Sequence, residues 1–162
     1  MKISVFGLGY VGCVSAAAYA SMGHKVIGID VKNEKNIAIN SGKSPIFEKG
    51  LDTLLSESVK SGHLKATDSV DFAVKNSDIS LVCVGTPSLE DGSIQLEYIK
   101  SVCKEIGHSL ENKSTYHVIA IRSTIPPGTI ENLLIPVLES ESGKKVGKDF
   151  GISIDPEFWP EG

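Results

Sequence analysis

The stretch "KISVFGLGYVG", Lys2 to Gly12, runs a short apolar segment into a glycine-rich turn, and the small-residue segment "CVSAAAYASMG" follows at once. Gly7, Gly9 and Gly12 make a GxGxxG spacing, which carries meaning only between a strand and a helix. Both are predicted here. In that setting the first glycine makes a tight turn, the second lets backbone approach a pyrophosphate, and the third lets the helix pack closely on the strand. Tyr10 and Val11 open the helix, whose N–H groups and positive dipole end attract phosphate. Ala16, Ala17, Ala18 and Ala20 continue the close-packing face.

The second apolar run, "KVIGI", ends in Asp30, eighteen residues past Gly12. A carboxylate at this place accepts hydrogen bonds from the ribose hydroxyls of a dinucleotide and repels the extra phosphate of NADP. NAD is therefore the expected cofactor. Lys35 lies about a turn further on, within reach of the same ribose, although an exposed helical lysine is ordinarily a solvated charge. Glycine-rich turns also serve methyltransferases that bind S-adenosylmethionine, and some doubly wound domains keep the turn for packing alone.

Outward from this unit the chain alternates short apolar runs with longer helical patterns, the mark of an α/β fold built on a parallel sheet. Strands are predicted at 2 to 6, 25 to 29, 64 to 67, 79 to 84, 117 to 121 and 151 to 154. Helices are predicted near 10 to 22, 33 to 41, 50 to 61, 69 to 75, 95 to 111 and 129 to 140. Leu96, Ile99, Val102, Cys103, Ile106 and Leu110 fall on one stripe at helical spacing. Pro136 is expected to kink the last helix or end it early. The segment "ESGKKVGKD", 141 to 149, reads as a surface loop. The resulting expectation is a doubly wound Rossmann fold with a six-stranded, mostly parallel sheet and helices on both faces.

Composition narrows the function classes. The 162 residues suit one domain with a sizeable core, and 41% hydrophobic with 22% charged residues is ordinary for a globular protein. A net charge of -4, one arginine and scattered lysines do not make the basic face of a nucleic-acid binder. No stretch is long and apolar enough to span a bilayer, and no signal-peptide core is formed before Gly7 interrupts the first run. Cys13, Cys83 and Cys103 show no metal-ligand spacing; three reduced, mostly buried thiols in a cytoplasmic protein are expected, with no metal, membrane or nucleic-acid partner.

In a doubly wound sheet the ligand lies beyond the carboxyl ends of the strands. The fourth strand leaves in "VGTPS" with Thr86, the fifth in "RSTIPPGT" with Thr124, and the sixth in "DPEFWPEG" with Glu157 and Glu161. Each is a polar turn punctuated by proline, and all three fall on the side of the glycine turn. Carboxylates in a partly closed site can act as general acid or base.

Taken in order, "FGLGYVG", "GKSPIFEKGL", "CVGTPS", "RSTIPPGT" and "DPEFWPEG" resemble the N-terminal cofactor domain of the UDP-glucose and GDP-mannose 6-dehydrogenase family, over the whole chain. "GKSPI", "EYIKSVCKEIG" and "SGKK" place it nearest the GDP-mannose branch. The resemblance implies a cofactor domain over residues 1–162, part of a longer enzyme whose central helix and C-terminal domain lie outside this sequence. Such enzymes oxidise a sugar C6 alcohol to a carboxylate in two NAD-dependent steps through a thiohemiacetal and a thioester on cysteine.

By matching motif, Tyr10, Val11, Asp30, Lys35, Thr86 and Thr124 look like cofactor contacts. Glu161 resembles the glutamate that handles water or protons at the substrate, with Thr124 nearby and Glu157 as the second glutamate of that motif. The motif usually reads Asn-Pro-Glu-Phe-Leu-Arg-Glu; here Asp155, Trp159 and Pro160 depart from it, as Lys49 departs from a common proline. None of the three cysteines matches the family nucleophile. The chain as given is therefore expected to bind NAD without completing the oxidation, with a nucleotide sugar as substrate and dimers or larger assemblies formed by the full-length enzyme. A non-catalytic NAD-binding module is the competing reading. A hydroxyacid dehydrogenase fits "GKSPIFEKGL" and the paired threonine turns less well.

Overall fold

A computed structural model describes residues 1–158; residues 159–162, and with them Glu161, Trp159 and Pro160, lie outside the described residues. Six strands, β1 (Lys2–Phe6), β2 (Lys25–Ile29), β3 (Leu64–Thr67), β4 (Ile79–Val82), β5 (His117–Ile121) and β6 (Phe150–Ile154), form one sheet in the order β3-β2-β1-β4-β5-β6. Every pairing is parallel. The chain winds outward from β1 to β3, crosses back, and winds outward again from β4 to β6. The order therefore reverses between β1 and β4, which opens a crevice above their carboxyl ends.

Parallel strands need crossovers, and the crossover helices bury both faces of the sheet. Helices α1 (Tyr10–Ser21), α2 (Asn33–Asn40) and α3 (Leu51–Lys60) pack on one face, where Ile3, Val5, Val26 and Leu81 meet Ala16, Ala17, Ile39 and Leu55. Helices α4 (Val70–Lys75), α5 (Glu97–Leu110) and α6 (Ile135–Ser142) cover the other, where Phe6, Ile27, Val82 and Ile119 meet Val74, Ile99, Ile106 and Leu138. The predicted α5 stripe is the buried one: Ile99, Cys103, Ile106 and Leu110 are core, with Leu96 and Val102 packed against it.

Most boundaries shift by no more than a residue or two, and two differences have a clear physical cause. The fourth strand stops at Val82 rather than residue 84 because its carbonyl receives both the Arg122 N–H (2.8 Å) and the Ser123 N–H (3.1 Å). Beyond that point the Ser123 hydroxyl, donating to the Val84 carbonyl at 2.6 Å, replaces the ladder. Pro136 does not end its helix, which runs on to Ser142 and closes on Gly143 in the left-handed region (φ 66°). The disturbance lies upstream: proline lacks an N–H and its ring clashes with the carbonyl four residues back. Residues Ile130–Leu134 accordingly form a wider π turn, and Pro136 stands in the first turn of α6, where proline is tolerated.

At the amino end of the sheet the interior is polar. The Ser4 Oγ lies 2.8 Å from the Ser80 Oγ, which lies 2.8 Å from His117 Nε2, and Ser77 Oγ is 3.0 Å from Ser4 Oγ. The Lys113 ammonium donates to the Val74 and Ser77 carbonyls at 2.7 and 2.6 Å. Burial, aided by the Lys113 charge and opposed by Ser77 and Asp78, pushes the His117 pKa down to about 4. The neutral ring is the one that fits the fold.

A histidine whose folded pKa lies below its unfolded value binds its proton more readily when unfolded, so its stabilisation is complete above about pH 6.5 and is lost as pH falls toward about 4. The full loss is about 3 kcal/mol. Urea unfolding followed between pH 7 and 5 is expected to show stability falling with acid, and the His117→Gln variant is expected to show a visibly shallower slope over the same range.

Candidate functional site

The three glycines of the turn have separate geometric roles. Gly7 has φ +89°, and a Cβ there would stand 2.9 Å from the Cys83 carbonyl oxygen. A Cβ on Gly12 would stand 1.8 Å from the Gly7 carbonyl oxygen, so only glycine lets α1 sit this close to the strand end. Gly9 is the opposite case. It is the N-cap of α1, with extended backbone, and a Cβ on it would meet nothing within 4 Å. The first turn of α1 has neither a side-chain cap nor an acidic residue. Such a helix start presents backbone donors and a positive dipole end to whatever occupies the space above Gly9. Nearby, the Tyr10 hydroxyl donates to Glu48 Oε2 at 2.8 Å, tying the loop between α2 and α3 to the same helix start.

Asp30 closes β2 and is only 8% exposed. Its Oδ2 accepts the Leu8 N–H and the Lys35 ammonium, both at 2.8 Å, and its Oδ1 accepts the Lys32 N–H at 2.9 Å. Burial alone would raise its pKa, but Lys35 and the N–H groups of Lys32 and Leu8 outweigh burial and hold the carboxyl below its usual range. Asn36 fixes the backbone beneath it, accepting the Asp30 N–H at 3.2 Å and donating to the Asp30 carbonyl at 2.9 Å. A carboxylate offers about four acceptor positions. Three are used here, and the one held by Lys35 can be exchanged.

Between these groups opens a cleft of about 480 Å³, running from Gly7 and Gly9 past Asp30 and Lys35 to Val70, Tyr98 and Val102. Its far end is apolar and thus suits a flat aromatic ring, its middle carries the carboxylate, and its near end carries the helix start. A dinucleotide has the same sequence of parts: base, ribose, pyrophosphate.

On the other side of the turn, Thr86 and Thr124 lie on neighbouring strand exits, and the Thr86 hydroxyl donates to the Thr124 carbonyl at 2.8 Å. The Asp155 N–H donates to the Ile121 carbonyl at 2.8 Å, which carries the segment bearing Glu157 out beside β5. Glu157 is half-buried. The structure thus gathers Gly7, Gly9, Tyr10, Val11, Gly12, Asp30, Lys35, Thr86, Thr124 and Glu157 at the carboxyl end of the sheet. Among the described residues no group of His, Cys, Asp or Glu could hold a metal, and no helix is long and apolar enough to cross a membrane.

The profile described as the UDP-glucose/GDP-mannose dehydrogenase family, NAD binding domain, matches residues 1–162. The chain belongs to the UDP-glucose/GDP-mannose dehydrogenase family. It is 50% identical over 161 residues to a GDP-mannose 6-dehydrogenase of Pseudomonas syringae pv. syringae, which covers 99% of this chain and 37% of that protein. It is 36% identical over 162 residues to a UDP-glucose 6-dehydrogenase of Haloferax volcanii, covering 100% of this chain and 37% of that one. A ternary complex of GDP-mannose dehydrogenase from Pseudomonas aeruginosa superposes with a TM-score of 0.98 at 50% identity, over 99% of this chain and 37% of that chain. The chain thus spans about 37% of the length of these relatives. Its cofactor is NAD, and the helix start, buried carboxylate and apolar slot of this family member fit that group.

Three participants escaped the sequence reading. Asn36 sits in a polar helix and is 2% exposed, which no spacing rule reveals. Glu48 lies in a quoted motif but finds Tyr10 only through folding. Val102 was read as core, and it also lines the slot.

The glycines supply a clean contrast. Gly12→Ala is expected to lower the melting temperature by about 6–12 °C, since overpacking costs about 3 kcal/mol and each kcal/mol moves a domain of this size by about 2–4 °C. Gly9→Ala is expected to leave melting within about 2 °C of the parent. Its Cβ fills the space above the helix start, so titration calorimetry is expected to show NAD affinity lowered by about tenfold or more.

Proposed function

We propose that this chain is the NAD-holding part of a nucleotide-sugar 6-dehydrogenase acting on GDP-mannose, with UDP-glucose as the alternative substrate. The observation that carries the reading is the uncapped start of α1 above Gly9, set beside the buried Asp30 carboxylate in one cleft. The 50% identity to GDP-mannose 6-dehydrogenases, against 36% to the UDP-glucose enzyme, supports the choice of sugar.

Each residue then has a task. Gly7, Gly9 and Gly12 shape the turn, and Val11 and Tyr10 stand at the helix start that receives the pyrophosphate. Asp30 accepts the adenosine ribose hydroxyls, and Lys35, now on Asp30, shifts to share them. Thr86 and Thr124 line the far half of the cofactor. Glu157, with Glu161, takes part in handling water or protons at the sugar C6 carbon. NAD, when bound, supplies the two-electron oxidant, and conversion of an alcohol to a carboxylate needs it twice.

The covalent step of such an oxidation needs a thiolate. Burial pushes Cys13 up to about 11 and both Cys83 and Cys103 up to about 12, so all three thiols stay protonated at neutral pH. The nucleophile is therefore supplied by residues beyond those of this chain, as are most sugar contacts and the contacts that make the full-length enzyme a dimer or larger assembly.

Two measurements test this reading. Calorimetric titration is expected to show NAD bound tenfold to a hundredfold more tightly than NADP, a difference of about 1.4–2.8 kcal/mol, with Asp30→Ala narrowing the gap; equal affinity for the two cofactors in the parent chain would remove the role given to Asp30. The 162-residue chain mixed with NAD and GDP-mannose is expected to yield no reduced nicotinamide. Sustained turnover would show that no further nucleophile is needed.

A further inference from the structure

Helix α5 presents two stripes rather than one. Ile99, Cys103, Ile106 and Leu110 face the core, while Tyr98, Ser101, Val102 and Glu105, which recur at helical spacing, line the same cleft as Gly9 and Asp30. Val102 supplies apolar surface there. The other three carry polar groups, and among the described residues the Tyr98 hydroxyl, the Ser101 hydroxyl and the Glu105 carboxylate have neither a hydrogen bond nor an ion pair. Other polar side chains of this helix are engaged. Lys100 lies 3.8 Å from Glu97, Lys104 lies 3.6 Å from Glu141, and the Ser109 hydroxyl donates to the Glu105 carbonyl at 2.9 Å. Unused polar groups that converge on an otherwise apolar slot are what fixes the orientation of a small ligand.

Their order along the slot matches one end of the ligand. Glu105 lies about 6 Å further along the helix axis than Ser101. Glu105 and Val70 also border a neighbouring hollow that reaches His108 and Glu141, so these two residues stand where the slot ends. With pyrophosphate at Gly9 and ribose at Asp30, a purine in the slot keeps its sugar-bearing edge near Asp30 and turns its six-membered ring outward, toward Glu105. In adenine that outer edge carries a 6-amino group, a donor. The Ser101 hydroxyl both donates and accepts, so it suits any substituent there, whereas the Glu105 carboxylate only accepts. A 6-oxo purine would set an oxygen against that carboxylate, and only its ring N1–H, one atom aside, offsets the loss. A site built around a hydrogen bond disfavours the analogue that cannot make it.

We propose that Glu105 selects the base of the dinucleotide by accepting a hydrogen bond from the 6-amino group of adenine, with Tyr98 and Val102 supplying ring contact. The proposal rests on the NAD-holding reading above and deepens it, since it names the residue that tells a 6-aminopurine from a 6-oxopurine. Glu105 is a specificity-determining residue and touches no reacting atom.

The test is calorimetric titration of the 162-residue chain with NAD and with nicotinamide hypoxanthine dinucleotide, in which oxygen replaces the 6-amino group. The parent is expected to favour NAD by about threefold to tenfold. Glu105→Ala removes the acceptor and is expected to bring the two affinities within about twofold of each other, chiefly by weakening NAD. Glu105→Gln, whose amide both accepts and donates, is expected to close the same gap by strengthening the hypoxanthine dinucleotide. Tyr98→Ala removes ring contact away from that edge, so both affinities are expected to fall together, by about threefold or more, with their ratio kept. Glu105 is exposed, and its substitutions are expected to leave melting within about 2 °C of the parent, so the comparison is made on folded protein. Equal affinity of the parent for the two dinucleotides, or a ratio that Glu105→Ala leaves unmoved, overturns the proposal. Failure of the folded parent to bind either dinucleotide overturns the NAD-holding reading instead.

Discussion

The constraint on which the site depends is the close approach of α1 to the turn that follows β1. A single added carbon at Gly12 would come within 1.8 Å of the Gly7 carbonyl oxygen, so the seat of the helix depends on a hydrogen atom at that position. Everything at the carboxyl end follows from this seat. It aims the helix start at the crevice where strand order reverses, brings the Leu8 N–H to Asp30 at 2.8 Å, and puts Ser15 within reach of Arg122 at 2.9 Å. The constraint is steric, and the site is its electrostatic consequence. The alanine-rich face behind Gly12 extends the contact, since Ala16, Ala17 and Ala20 add apolar area without adding height.

The two ends of the sheet handle polar groups in opposite ways. At the amino end Ser4, Ser77, Ser80, His117 and Lys113 are buried and bonded to one another or to carbonyls, and the histidine is kept neutral. Buried polar groups of this sort stabilise when satisfied, and all but the His117 Nδ1 have a partner here. At the carboxyl end the helix start is uncapped and Lys35 lies at the cleft on Asp30, 24% exposed. The same sheet thus has a bonded floor and an open rim. Parallel strands make this division natural, because every strand delivers its exit to the same side.

The fold was legible to the extent that it depends on pattern. Short β-branched runs, the α5 stripe and the glycine spacing are periodic signals, and they located all six strands and the turn to within a residue or two. What escaped depends on contacts between distant residues. Val82 ends β4 because the N–H groups of Arg122 and Ser123, just past β5, converge on its carbonyl, a fact no local propensity contains. Pro136 is expected from sequence to kink its helix or end it early, because the sequence does not say which turn of a helix a proline will occupy; set in the first turn of α6, it leaves the helix running to Ser142 and widens the turn upstream. In the site, Asp30 was readable from its distance to Gly12, whereas Asn36, which grips the Asp30 backbone from both sides, resembles any polar helical residue until it is buried.

Asp30 and Lys35 show why a motif residue does not act by its own charge alone. A lone carboxylate at the ribose would discriminate against a second phosphate by full repulsion, but this one is neutralised at 2.8 Å by an ammonium. The pair is largely buried on the aspartate side and partly open on the lysine side, so the ammonium can move while the carboxylate, pinned by two backbone N–H groups, cannot. On the proposed reading, a ligand hydroxyl takes the place of the ammonium at Asp30 and restores the bond it displaces. A phosphate in that place would gain the lysine but still face the fixed carboxylate. On that reading, discrimination comes from the difference in mobility between the two partners, and it is graded rather than absolute.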